Sequence, residues 1–112
     1  MNKYTELSDF DINKKVAERL FLKFTDCYSV VLFEGESFDP CNNPADAMPI
    51  IIENKICTAF DVFAEEHDGG NWVASPAYGF ANERTRSNNL YRAAMELFLL
   101  MKDAENENNN NS

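Results

Sequence analysis

Residues Leu90 to Lys102 read Leu-Tyr-Arg-Ala-Ala-Met-Glu-Leu-Phe-Leu-Leu-Met-Lys. The stretch contains neither glycine nor proline, and its apolar side chains cover most sides of a helix. Only Arg92, Glu96 and, just beyond it, Asp103 interrupt that surface, along one narrow polar stripe. A helix this apolar is buried on several faces, so the remainder of the 112-residue chain has to wrap around it. Ser87, Asn88 and Asn89 offer candidate caps for its start. Length fits one domain. We place that domain at residues 1–103, because 104–112 is acidic and asparagine-rich and reads as a disordered tail.

The elements before that helix follow from local signals. Ser8 can cap a helix, with Asp11 returning the bond and Leu7 and Ile12 closing a hydrophobic staple. Ile12, Val16, Ala17 and Leu20 then recur at helical spacing, which predicts a helix from about Asp9 to Leu22. Tyr28 to Phe33 is β-branched and aromatic and reads as a strand ended by Glu34-Gly35-Glu36-Ser37. Asn43 caps a second helix with Pro44 at its first position. Ala45, Met48, Ile52 and Ile56 form its expected core stripe, with Ile51 beside it. Pro49 either kinks this helix after one turn or ends it in favour of a strand through Ile50-Ile51-Ile52. The continuation Glu53-Asn54-Lys55 favours the kinked helix. Ile56 to Ala64 and Asn71 to Pro76 read as a hairpin around Glu65-Glu66-His67-Asp68-Gly69-Gly70. Residues 78–86 lack periodicity and read as a loop. The predicted class is α+β: a small, mainly antiparallel sheet of about three strands covered by helices, in the order α-β-α-β-β-α.

Charge is unevenly placed. Of 19 acids, ten lie between Asp26 and Asp68, where Lys55 is the only base. The rest of the chain is balanced, so the middle carries the whole net charge of −9. Such a surface repels phosphate backbones, which argues against direct nucleic-acid binding, and suits a protein with a basic surface, with solubility alone as the competing and commoner reading. The N-terminus lacks the apolar run of a signal peptide, and no apolar stretch is long enough for a bilayer. Cys27, Cys41 and Cys57 are odd in number and widely spaced, which fits buried free thiols rather than a disulfide framework or a zinc site. A soluble cytoplasmic protein is expected.

Few residues suggest chemistry. His67 is the only histidine, so no histidine pair exists for a metal, and its acidic neighbours read as a solvated turn. Cys41 with His67 is the one conceivable thiol–base pair; a buried structural cysteine is the better reading. Gly69-Gly70 lacks the lysine of a phosphate loop. No catalytic residue, metal site or cofactor is therefore assigned. Candidate binding residues fall in two groups. Asn42 and Asp46 flank the second helix start, where capping explains Asn43 but leaves them over; turn formation accounts for Asn42 about as well as a ligand or partner does. Trp72, Tyr78, Arg84 and Arg86, with Phe80, surround the 78–86 loop and have the residue types interfaces favour. For these aromatics, closing the edge of the core is the competing reading.

Cys41-Asn42-Asn43-Pro44-Ala45-Asp46-Ala47-Met48-Pro49-Ile50-Ile51-Ile52-Glu53-Asn54 resembles the signature block of the NinX family, small accessory proteins of lambdoid phages and prophages. Asn89 to Met101 resembles the family's C-terminal helix and Glu6 to Asn13 its opening, and Trp72 with Ala74 falls where the family has a tryptophan strand. Where the family tends to begin its last helix Asn-Pro-Leu-Arg, this chain has Asn89-Leu90-Tyr91-Arg92. The resemblance implies phage or prophage origin, expression in a bacterial host cytoplasm and a dispensable or host-directed role. It supplies no biochemical activity. Three functional readings stand: a non-enzymatic module binding a host or phage protein, with counter-defence as one purpose; a small-ligand binder or enzyme with a pocket near Asn42-Asn43-Pro44; and a structural homo-oligomer.

Overall fold

The computed structural model describes residues 2–77 and 83–110, with backbone alone at 108–110. In chain order the elements are α1 (Asp9–Arg19), β1 (Phe24–Cys27), β2 (Val30–Phe33), β3 (Glu36–Ser37), α2 (Pro44–Glu53), β4 (Ile56–Phe60), a 3-10 turn (Glu66–Asp68), β5 (Trp72–Pro76), β6 (Thr85–Ser87) and α3 (Leu90–Asn110). The class is α+β. The strands divide between two antiparallel sheets of three strands each, ordered β1-β2-β3 and β4-β5-β6, where a single sheet was expected.

α3 is the axis of the molecule. Ala93, Ala94, Met95, Leu97, Phe98 and Leu99 are all fully buried. They pack against Ile12, Val16 and Ala17 of α1, against Ala47, Ile50 and Ile51 of α2, and against Ala74 of β5. The second sheet lies across α3, and the first is attached through β2, which packs on α1. α3 extends to Asn110, over residues whose composition reads as a tail.

Local chemistry explains most element ends. The Ser8 hydroxyl accepts from the Asp11 N–H at 3.1 Å to start α1. The Asn43 side chain accepts from Ala45 N–H at 3.1 Å to start α2, with Pro44 at its first position. The helix runs through Pro49 to Glu53, so no strand forms at Ile50-Ile51-Ile52. Asn89, not Ser87 or Asn88, accepts from the Tyr91 and Arg92 N–H groups and opens α3.

The expected stripe of α2 is corrected. Ala47, Ile50 and Ile51 are buried, whereas Met48 and Ile52 are 39% and 64% exposed. Consecutive apolar residues give this helix no single apolar face, and contact with α3 and β4 selects one. Ile56 is buried, but in β4.

The β1–β2 hairpin was read only as its second strand. Its two-residue turn, Tyr28-Ser29, has φ of 48° and 67°. Both turn residues take the left-handed conformation that lets the strands keep their twist, without the usual Asn-Gly. Within 78–86, residues 85 and 86 belong to strand β6 rather than a loop, while 78–82 lie outside the described residues. Gly70 permits a close passage beside β6: at φ 138°, an added Cβ would lie 2.2 Å from the Ser87 carbonyl carbon.

Candidate functional site

The polar stripe of α3 is the centre of a bonded network rather than a solvated face. The Arg92 and Glu96 side chains are only 11% and 3% exposed and meet at 2.7 Å through Nε and Oε2. Arg92 Nη1 donates to Asp9 Oδ1 at 2.7 Å. Its Nη2 donates to the carbonyls of Tyr4 at 3.0 Å and Leu7 at 2.7 Å. Glu96 Oε1 accepts from Asn2 Nδ2 at 3.0 Å. One guanidinium thus ties the N-terminal segment and the start of α1 to the core helix. Burial works against charge on Asp9, but hydrogen bonds from Arg92 and Asn42 outweigh it and hold its carboxyl below the ordinary value. Burial likewise opposes charge on Arg92, and the bonds to Asp9 and Glu96 raise its pKa despite it.

Two turns beyond Glu96, Asp103 repeats the theme. It accepts from the Tyr4 hydroxyl, from Arg19 Nη2 at 2.7 Å and from Lys3 Nζ at 2.9 Å. Desolvation opposes its charge, and the Tyr4 and Lys3 bonds lower its pKa all the same.

Asn42 joins the first network. Its amide donates to Asp9 Oδ2 and Asp39 Oδ1, each at 3.1 Å, and its carbonyl accepts from Asn89 Nδ2 at 3.0 Å. Asn13 bridges Asp39 Oδ1 at 2.7 Å and the Cys41 N–H at 3.0 Å. Asp46 Oδ2 accepts from the Asp39 N–H at 2.9 Å and from Asn43 Nδ2 at 3.2 Å. Both residues that capping left over therefore hold the 39–46 turn in place. Burial, reinforced by the charge of Asp9, pushes the Cys41 thiol far up, so it does not supply a thiolate; Cys27 and Cys57, expected to be buried as well, are exposed because they lie on edge strands. His67 stays exposed in the 3-10 turn between Glu65 and Asp68, 3.5 Å from each.

The other candidates sit on the second sheet. Trp72 is half-buried in β5, its ring edge-on to Phe60 with centroids 5.1 Å apart. Arg86 pairs with Asp61 at 2.9 Å and donates to the Gly70 carbonyl at 3.3 Å. Arg84 is exposed and, among the described residues, its side chain bonds only its neighbour's carbonyl, Glu83 O at 3.0 Å. Tyr78 lies outside the described residues. Asp9, Asn89, Arg92 and Glu96 share a cavity of about 340 Å³ with Arg86. Arg84 and Arg86 line a second one of about 220 Å³. The structure thus brings Asn42 to Asp46, and Arg84 to Arg86, in two separate places.

Among the described residues no buried side-chain nitrogen or oxygen lacks a partner, and no cluster of metal-binding side chains occurs. The network is saturated by its own members, as a clamp would be. Its span can be compared with known sequences. A family model described as Bacteriophage P22, NinX matches residues 3–102. The chain belongs to the NinX family. The match takes in both sheets, all three helix starts and the Arg92 clamp apart from Asn2. Comparison with curated proteins and with solved structures gives no match. NinX membership makes this a phage accessory protein. Among the described residues no helix is long and apolar enough to cross a membrane.

Sequence reasoning saw Arg92, Glu96 and Asp103 as a stripe but missed their partners Asn2, Tyr4, Asp9 and Arg19. The usable signal was charge on an otherwise buried helix, which demands a buried partner somewhere in the chain.

Proposed function

We propose that this phage accessory protein acts without catalysis, as a module that binds a host or phage protein through a basic surface on that partner, in the host cytoplasm. Counter-defence is one purpose such binding would serve. The reading rests on how the acids are divided. Asp9, Asp61, Glu96 and Asp103 are engaged by arginines. Glu34, Glu36, Glu53 and Glu66 are exposed, and no ion pair among the described residues reaches them. They belong to the stretch whose only base is Lys55. Unneutralised exposed carboxylates steer a basic partner and repel nucleic acid and anionic lipid.

Affinity purification from phage-infected cells tests this, comparing the native protein with a chain carrying E34K, E36K, E65K and E66K. A partner that the native protein recovers, that salt weakens and that the reversed chain loses supports the reading. Recovery of the same proteins by both chains sinks it. A groove of about 550 Å³ supports a second reading, binding of a small apolar ligand. It is lined by Leu20, Phe33, Phe38, Ile50 and Phe98 and reaches Ala45 and Asp46, but not Asn42 or Asn43. An apolar dye that binds the native protein, and no longer binds after Ala45→Trp, would favour it; no dye binding would discard it.

A further inference from the structure

We infer that β4 pairs antiparallel with β4 of a second copy of this chain, about a two-fold axis through Thr58. The inference does not depend on the partner-binding reading above.

In the order β4-β5-β6, β4 has one open edge. Asp61 N–H donates to Asn71 O at 2.7 Å, and Ala77 N–H donates to Lys55 O at 3.0 Å. With the register Cys57↔Ser75 and Ala59↔Val73, residues 55, 57, 59 and 61 point their backbone groups at β5. The N–H and C=O groups of Ile56, Thr58 and Phe60 therefore point away, and no loop or turn backbone bond among the described residues reaches them.

Sheet edges are normally guarded by charge or proline. The other three edge strands follow that rule: β1 carries Asp26, β3 Glu36 and β6 Arg86. β4 reads Ile-Cys-Thr-Ala-Phe and carries neither guard. Apolar side chains stand exposed at both its ends. Ile52, 64% exposed, precedes it; Phe60, Val62 and Phe63, 53%, 69% and 87% exposed, close and follow it.

These features match a second copy because they are complementary about Thr58. An antiparallel partner centred there sets Thr58 opposite the partner's Thr58 and Ile56 opposite the partner's Phe60. All the residues so bonded have outward-pointing backbone groups. Lys55, the only base of the acidic middle, comes opposite the partner's Asp61. Val62 and Phe63 come alongside the end of the partner's α2, where Ile52 is exposed. The acidic residues that follow β4 in the two copies fall at opposite ends of the pair and so lie apart from each other. A two-fold interface of this kind is closed, and the only edges it leaves in the joined sheet are the two β6 strands, each carrying Arg86.

The test uses the purified full chain. Sedimentation velocity over a dilution series should show a monomer–dimer equilibrium. Amide exchange at Thr58 and Phe60 should slow as concentration rises, while Cys57 and Ala59 are protected throughout. Thr58→Pro removes an outward N–H without touching the bonds to β5, and should weaken the dimer by about tenfold or more. Ala59→Cys, with Cys27→Ser, sets a thiol across from the partner's Cys57 at about 4.5 Å between Cα atoms, within disulfide reach. Mild oxidation should then give a covalent dimer, and adding Thr58→Pro should slow its formation by about the same factor. A chain that stays monomeric with concentration-independent exchange at Thr58 and Phe60 overturns the inference. Protection of that edge only when another protein is added also overturns it.

Discussion

Removing the Arg92 guanidinium is the sharpest test of the clamp. Arg92→Met keeps helix propensity and most of the side-chain volume. It takes from Glu96, whose side chain is 3% exposed, its charged partner at 2.7 Å. It also frees Asp9, but that side chain is 45% exposed and water replaces the bond. The cost therefore falls mainly on the buried carboxylate. Breaking such a pair from one side costs about 3–5 kcal/mol. That is a large share of the roughly 5–15 kcal/mol that stabilises a domain of this size. The midpoint of thermal unfolding should fall by about 15–30 °C. Equilibrium urea unfolding, followed by Trp72 fluorescence, gives the free energy directly. The double change Arg92→Met with Glu96→Leu should regain most of the loss, because an apolar pair of similar volume needs no desolvated charge. A loss below about 1 kcal/mol for Arg92→Met would class the contact with surface ion pairs and refute the reasoning. So would a double variant as unstable as the sum of its singles.

Other consequences are smaller or simpler. Asp9 and Asp103 both have carboxyls held below the ordinary 3.8, so each stabilises the fold above that value and loses its contribution as pH falls through its folded pKa. Acid titration of stability should therefore steepen below pH 3.8, and Asp9→Asn or Asp103→Asn should flatten that limb while lowering stability at neutral pH. Gly70→Ala should destabilise by about 2–4 kcal/mol in chemical denaturation, because its Cβ meets the Ser87 backbone and its φ is foreign to an L-residue. Replacing Tyr28-Ser29 by Asn-Gly should raise stability by about 1–2 kcal/mol, since both positions already have positive φ.

What was legible and what was not divides along sequence distance. Caps are local: Ser8 and Asn43 act where their neighbours imply, and Asn89 is the one of three candidates that acts. The β4–β5 hairpin and the burial of α3 were equally readable, because period and composition carry them. β1 was not: Phe24-Thr25-Asp26-Cys27 is short and partly polar, and Tyr28-Ser29 carries no turn chemistry. Its strand forms because pairing with β2 offsets two strained residues. The buried face of α2 was misread because Met48 to Ile52 is apolar almost without interruption apart from Pro49, so only the tertiary partner selects a side.

The charged groups show the same division more sharply. Arg92 reaches Asp9 across 83 residues, and Asn2 reaches Glu96 across 94. Nothing local marks those partners, so the stripe on the core helix was visible while the clamp was not. Once the clamp is recognised, Asn42 stops being a free polar group beside a helix start. Its amide and carbonyl are both committed, to Asp9, Asp39 and Asn89. Asp46 is committed to Asp39 and Asn43. The arginines Arg19, Arg86 and Arg92 are each spent on an internal carboxylate. Among the described residues, what remains to meet another molecule includes two contrasting kinds of surface: acids that no arginine holds, and the uncharged edge of β4. The first kind acts at a distance and selects for opposite charge; the second acts only on contact and selects for an extended backbone. A protein that keeps these apart can associate with itself and with a basic partner without one surface competing for the other, because the strand that would pair contributes none of the free acids.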